Sequence, residues 1–316
     1  MTVQSLPNDD LPLPSPFNPR LETAPTQALF DKVTQWLWTG KVGAIVTGPA
    51  RVGKTTALET IRGQLRDRHQ RRVPVFMTSI DRLDQPSVKS LNWQLCADAG
   101  IRTTQRQTSY QLSTSFAHWL IDAAHLGGVR QIVLFIDECQ RLTPHQFDAF
   151  ADLYNRLRAK DRFLLTIFVG NDQETGRMDR FISSDVYAHI RGRFFRERVT
   201  FCGLRSLKEI RHCLAQYDAR SHSSSHSYSF VEQVLPEARD SHFRLQDAAP
   251  IFWRVFRDYQ KRYKLTDWGM ESFTITTNTL LADFLPRYGL SHLSEEMVQE
   301  AVCLSGLVAS QVSVRA

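Results

Sequence analysis

Apolar residues recur at helical spacing between Thr26 and Trp38, at Leu29, Phe30, Val33, Leu37 and Trp38, and Gly40 follows as a stop, so the pattern predicts a helix there. The period then changes. Val42 to Thr47 is a short apolar run of the kind a strand covered on both faces shows, and a second helix is expected to start inside GPARVGKTT and to run toward Arg72. Val73 to Thr78 reads as the next strand. Asp84 is expected to cap a helix that has Pro86 in its first turn and ends at Gly100, with another helix from Ser113 to Leu126. Ile132 to Ile136 is a buried strand, Thr143 and Gln146 form a capping box, and Phe147, Phe150, Tyr154 and Leu157 mark one face of the helix that follows. Phe163 to Val169 is a further buried strand, then a helix to about Ile190 and a last strand from Val199 to Cys202. Strands alternating with helices in this way predict a doubly wound α/β domain with a parallel sheet.

After Leu204 the buried strand runs stop. Helices are expected at Leu207 to Tyr217, Ile251 to Tyr263, Thr279 to Tyr288 and Ser294 to Val308, which makes residues 205–316 a separate, all-helical lid and C-terminal region. The α/β domain is assigned to residues 20–204. Residues 1–19, rich in Pro and polar groups, read as an extended arm. The stretch SHSSSHSYS cannot bury enough apolar surface to fold, and His222, His226 and His242 lack a fixed ligand spacing, so no metal is expected there.

Composition changes this picture little. The 316 residues are 42% hydrophobic and 23% charged, which excludes overall disorder. No apolar run reaches the length a bilayer needs, and MTVQSLPNDD is not a secretory signal, so a cytoplasmic, membrane-free location is expected. Five cysteines without CxxC spacing suggest neither disulfides nor zinc. The balance of 39 basic against 33 acidic residues gives +6, and only eight of the basic residues are Lys. An Arg-rich surplus leans toward phosphate-bearing partners, since the guanidinium fork grips phosphate at two points.

The chemistry is concentrated in three places. Gly48, Pro49, Ala50, Arg51, Val52, Gly53, Lys54 and Thr55 match GxxxxGK[ST] between a buried strand and an amphipathic helix that continues with Thr56. In such a loop backbone N–H groups close around phosphates, Lys54 reaches the β and γ phosphates of ATP, and Thr55 holds Mg²⁺. Asp137 and Glu138 stand at the carboxyl end of IVLFI, where ligands of parallel sheets bind. Asp137 suits the hydrated Mg²⁺, and Glu138 suits the role of general base toward the attacking water. Asn171 closes FLLTIFVGN, either orienting that water or serving as a turn residue.

In this order, GPARVGKT, IVLFIDE, VGN and RGRFFRERVTF resemble an AAA+ ATPase, and most closely the TnsC/TniB transposition regulators. The resemblance spans roughly residues 20 to 204. It implies a P-loop AAA+ domain with a five-stranded parallel sheet of order 5-1-4-3-2, a small helical lid, and for Asn171 the role called sensor 1. It also implies an arginine finger that completes a neighbour's site, best matched by Arg193, with Arg191, Arg196 and Arg198 in the same segment. Arg244 lies where the second sensor is usual, although no Gly precedes it. DNA contacts are expected between the second and third strands, at Lys89, Arg102, Thr103 and Arg106. The basic run Arg62, Arg66, Arg68, Arg71 and Arg72 reads instead as a solvated helix end.

The function implied is an ATPase that polymerises on target double-stranded DNA as a ring or helical filament. It would link a target-selection protein of the TniQ/TnsD kind to a transposase of the TnsA/TnsB kind, as in CRISPR-associated transposons, with hydrolysis controlling assembly. A helicase loader or initiator, or a scaffold that binds ATP without hydrolysing it, are the alternatives.

Overall fold

The computed structural model describes residues 20–171, 187–219 and 228–308. The arm assigned to residues 1–19, part of the helix expected before Ile190, and His222 and His226 lie outside the described residues. Two compact units are present. One comprises Ala28–Ala50 and Lys54–Phe201; the other comprises residues 20–27, Arg51–Gly53 and residues 202–308.

The first unit is a five-stranded parallel sheet with its helices. Its elements are α1 (Ala24–Trp38, whose first turn groups with the other unit), β1 (Gly43–Gly48), α2 (Lys54–Arg62), β2 (Val75–Ser79), α3 (Val88–Asp98), α4 (Ser109–Leu126), β3 (Gln131–Asp137), α5 (Pro144–Arg158), β4 (Phe163–Asn171), α6 (Ala188–Phe194) and β5 (Glu197–Thr200). The strand order is β2-β3-β4-β1-β5, all pairs parallel, so the parallel sheet the pattern predicts is present in the order the resemblance implies. Successive strand side chains face opposite ways. Ile132, Leu134 and Ile136 join Phe116, Phe147, Phe150 and Phe168 in one aromatic-rich core, while Val133, Phe135, Leu165 and Ile167 are buried on the other face. Both faces are therefore covered, which is why these strands lack polar alternation.

Several helix boundaries differ from expectation, among them the start of α4, which begins at Ser109 behind the cap Thr108 rather than at Ser113. The helix α2 stops at Arg62 rather than near Arg72. Gly63 follows, and Asp67 then gathers the N–H groups of His69 and Arg71 at 2.8 and 2.9 Å into a turn, while Arg66 and Arg72 pair across it. A polar side chain that satisfies backbone donors locally competes with helix continuation. Asp84 is not the cap of α3: Ser87 is, its hydroxyl accepting from Ser90 N–H at 3.0 Å in a capping box. Pro86 thus precedes the helix instead of lying in its first turn. The box at Thr143 forms as expected, with Thr143 N–H donating to Gln146 Oε1 at 2.8 Å.

The second unit is helical: α7 (Leu207–Asp218), α8 (Phe230–Val234), α9 (Ala249–Tyr263), α10 (Met270–Thr279), a π turn at Leu280–Phe284 continuing into α11 (Leu285–Tyr288), and α12 (Glu295–Leu304). Its core holds Phe252, Phe256, Trp268 and Phe273, with the Trp268 and Phe256 rings stacked at 5.2 Å. Residues 20–27 belong to this unit, and Glu22 exchanges two backbone hydrogen bonds with the Gln216 amide, both at 2.7 Å.

Candidate nucleotide-binding site

The site is built at the carboxyl edge of the sheet, where three central strands end side by side. Gly48 of β1 is in register with Asn171 of β4, and β4 also pairs with β3, which ends at Asp137. The chain must turn sharply after Gly48, and a Cβ on that residue would run into the Phe201 carbonyl oxygen, so only glycine fits. Arg51 and Gly53 take positive φ, 61° and 101°, which curls the loop before the helix α2 begins at Lys54. The first N–H groups of a helix have no partner within it and, with the helix dipole, favour an anion.

Lys54 Nζ donates to the carbonyls of Gly48 at 2.7 Å and Pro49 at 2.6 Å, so its charge lies across the loop it follows. Thr55 Oγ1 donates to Asp137 Oδ2 at 2.6 Å, although the two residues are far apart in sequence. Asp137 is only 3% exposed, and its other oxygen accepts from Glu138 N–H at 2.9 Å. A hydroxyl and a buried carboxylate in contact form the hard-oxygen donor set that Mg²⁺ takes, so Thr55 and Asp137 fit that ion. Val52 is buried, Thr56 is half-buried, and Ala50 is at the surface.

Glu138 sits next to this pair in the left-handed region, with φ 56° and ψ 34°. That conformation is costly for a residue with a side chain and tends to persist where function requires it. Its carboxylate accepts from Gln140 Nε2 at 2.8 Å and pairs with Arg141 at 2.9 Å. Asn171 N–H donates to Gln140 Oε1 at 3.3 Å, so one glutamine joins the acidic turn to the tip of β4. The structure therefore brings together Gly48, Lys54, Thr55, Asp137, Glu138 and Asn171. Neither Gln140 nor Arg141 is among the residues singled out from sequence; their signal is their position two and three residues beyond Glu138.

The remaining candidates lie elsewhere. Arg193, in the last turn of α6, is half-buried and inward-turned: its guanidinium is 5.1 Å from the centre of the Tyr154 ring and donates to the Ala151 carbonyl at 3.3 Å. Arg196 and Arg198 are exposed, and Arg191 is half-buried. In the helical unit, Arg244 has extended backbone just before the turn Leu245–Ala248 that leads into α9, and lies 3.7 Å from the buried Glu232 carboxylate. His242, in the same unit, has positive φ, and no cluster of metal-binding side chains occurs among the described residues. Lys89 projects from the start of α3 and donates to the Gln105 carbonyl at 3.2 Å. That bond brings it to the loop carrying Arg102, Thr103 and Arg106, of which the two arginines are exposed. Beside them Tyr110 is 67% exposed with the Arg156 guanidinium 4.5 Å from its ring centre, a pairing that sequence periodicity does not reveal.

A family model described as an AAA domain matches residues 39–178. No curated protein matches the chain. Among solved structures, the chain is similar to the Aeropyrum pernix ORC1 protein in complex with DNA at 11% identity, covering 92% of this chain and 85% of that one with a TM-score of 0.43. It is similar to the Aeropyrum pernix ORC2 protein in its ADP form at 12% identity, with coverages of 92% and 71% and a TM-score of 0.48. For Drosophila ORC bound to DNA the identity is 14%, the coverages are 90% and 61%, and the TM-score is 0.44. The matched residues 39–178 lie within the α/β unit, whose five-stranded parallel sheet carries the phosphate-loop motif at the end of β1, so this part of the chain is similar to an AAA domain in both sequence and strand order. No helix among the described residues is long and apolar enough to cross a membrane.

Proposed function

We propose that the chain is an ATPase whose hydrolysis cycle governs its assembly on double-stranded DNA. The observation that carries this reading is the Thr55 to Asp137 contact at 2.6 Å, with Glu138 next in the chain and Asn171 on the neighbouring strand tip. Lys54 and the loop N–H groups hold the β and γ phosphates, Thr55 and Asp137 hold Mg²⁺, Glu138 takes the proton of the attacking water, and Asn171 orients that water. Mg²⁺, when bound, supplies charge neutralisation on the phosphates. An arginine from a second copy completes the site, Arg193 by its place in the motif order or the exposed Arg196. Such a cation is worth about 10³-fold or more in turnover, so hydrolysis is slow in the lone protomer and assembly is linked to turnover. Arg244 is a further nucleotide contact in this scheme.

Lys89, Arg102, Thr103 and Arg106 share one end of the α/β unit and suit contacts to the DNA backbone rather than to bases. The motif order resembles that of the TnsC/TniB regulators, and on this basis the assembled protein bridges a target-selection protein and a transposase. The test is single-turnover ATP hydrolysis by Glu138→Gln, Arg193→Ala and Arg196→Ala across protein concentration, with and without duplex DNA. The reading expects loss of turnover in the first variant and loss of the concentration-dependent rise in one of the arginine variants. Unchanged rates in all three would reject it, and association with a hexameric helicase in place of a transposase would put the chain among loaders.

A further inference from the structure

The amino edge of the sheet, opposite the edge where Asp137 and Asn171 lie, gathers the positive charge of the chain. Residues 62–72, 127–130 and 158–162 hold nine basic side chains against Asp67 and Asp161 alone, a surplus of seven where the whole chain has +6. The rest of the chain is therefore close to neutral. These three stretches form one surface: the Arg71 guanidinium donates to the Gly128 carbonyl at 2.6 Å, Arg130 pairs with Asp161 at 3.2 Å, and the Arg130 carbonyl accepts from Phe163 N–H at 2.9 Å. Trp38, at the end of α1, joins them through its indole N–H, which donates to the Arg66 carbonyl at 3.0 Å. The starts of β2, β3, β4 and β1 stand side by side beneath, about 14 Å across at the usual strand spacing. A solvated helix end does not account for this charge. The helix α2 stops at Arg62, so Arg66, Arg68 and Arg72 lie beyond the last turn, where the helix dipole favours cations. Arg68 and Arg72 are exposed, and among the described residues neither side chain has an ion-pair or hydrogen-bond partner. Arg68 stands in the turn that the buried Asp67 fixes, so its backbone is held while its guanidinium is left to solvent.

We propose that this amino edge docks the phosphodiester backbone of a nucleic acid, without need of nucleotide at the opposite edge. Like charges held together repel, and a bound polyanion removes that cost. Arginine supplies eight of the nine cations, and its planar fork meets phosphate at two points where a lysine ammonium is a point charge. A length of about 14 Å along one strand of a duplex carries about four phosphates, enough to engage cations from all three stretches. Trp38 and Phe163, 39% and 45% exposed, flank the charged surface with aromatic rings of the kind on which unpaired bases stack. An acidic protein segment would supply carboxylates but leave those rings unused. The proposal depends neither on hydrolysis nor on the Lys89 to Arg106 end of the unit.

The test is fluorescence anisotropy of labelled duplex DNA, single-stranded DNA and single-stranded RNA with the full chain, without nucleotide, from about 50 to about 200 mM salt. The double variant Arg68→Ala with Arg72→Ala is expected to bind about tenfold more weakly, and its slope of log affinity against log salt should be smaller by about two, one for each phosphate contact. Lys160→Ala, on a separate connection, should lower the slope by about one. Arg211→Ala with Lys261→Ala removes the same charge from exposed positions of the helical unit and should leave affinity within about twofold and the slope unchanged. The melting temperature of the Arg68 and Arg72 double variant should match wild type, so that a loss of binding is not a loss of structure. A loss confined to the duplex arm assigns the edge to paired strands, and a loss confined to the single-stranded arms assigns it to unpaired ones; both sustain the proposal. Unchanged affinity and slope in all three arms overturn it, as does equal weakening in the two double variants, which would report net charge alone. Displacement of the oligonucleotide by poly-glutamate as readily as by unlabelled oligonucleotide also overturns it, in favour of an acidic protein partner.

Discussion

Asp67 shows how one side chain can settle a chain reversal. It is 4% exposed and takes the N–H groups of His69 and Arg71 together with the Arg71 guanidinium, at 2.7 to 2.9 Å. Burial alone would push its carboxyl up, but the Arg71 side chain and the two backbone donors outweigh that and hold it below its ordinary value. The folded-state pKa is therefore depressed, so its contribution is fully present above the unfolded value near 3.9 and is lost as pH falls through the lower folded value. Asp67→Ala is expected to lower stability by about 2 kcal/mol at neutral pH. In denaturant titrations the gap to wild type should narrow as pH falls below the unfolded value near 3.9. At Gly48 the constraint is steric, because the added methyl of Gly48→Ala meets a backbone carbonyl rather than a pliable side chain. That variant is expected to bind ATP at least about tenfold more weakly, measured by fluorescent-nucleotide titration, because the loop that should close on the phosphates must shift. Lys54, Thr55, Asp137 and Glu138 are legible from sequence because motif and spacing name them. The contacts of Gln140 and Arg141 with Glu138 are not, because they come from side-chain direction in a left-handed turn.

At the scale of elements, the buried strands were readable because a covered parallel strand has no polar alternation, and their ends move by only a residue or two from expectation. Helix ends were harder to place, since local hydrogen bonding decides them. Ser87 wins over Asp84 because its hydroxyl pairs with Ser90, and its carbonyl also accepts from the Gln146 amide at 3.0 Å. Ser87→Ala is expected to cost about 1 kcal/mol of stability, read by chemical denaturation, whereas Asp84→Ala should cost less than about 0.5 kcal/mol. The helix α10 is not among those the sequence pattern predicts. MESFTITTNT lacks a clean apolar stripe, but Thr276 and Thr277 are buried with their hydroxyls donating to the carbonyls of Ser272 and Phe273 at 2.8 and 2.9 Å. Those bonds make polar residues acceptable in the core, a compensation that periodicity does not register.

For the whole molecule, the sequence pattern changes from alternating strands to helices near residue 204, while the contact-defined units place Phe201 and Cys202 apart. The assignment of residues 20–27 and Arg51–Gly53 to the helical unit was not visible, because it depends on contacts distant in sequence. One such contact is Glu271 N–H donating to the Arg51 carbonyl at 3.3 Å. In the proposed reaction the loop, the acidic pair and the β4 tip act together on ATP. The most direct measurement is to follow ATP binding and single-turnover hydrolysis in the same samples of wild type and Glu138→Gln at high protein concentration with duplex DNA. Binding within about twofold of wild type, with hydrolysis at least about 10²-fold slower, is the predicted result. Hydrolysis by Glu138→Gln at the wild-type rate would contradict it.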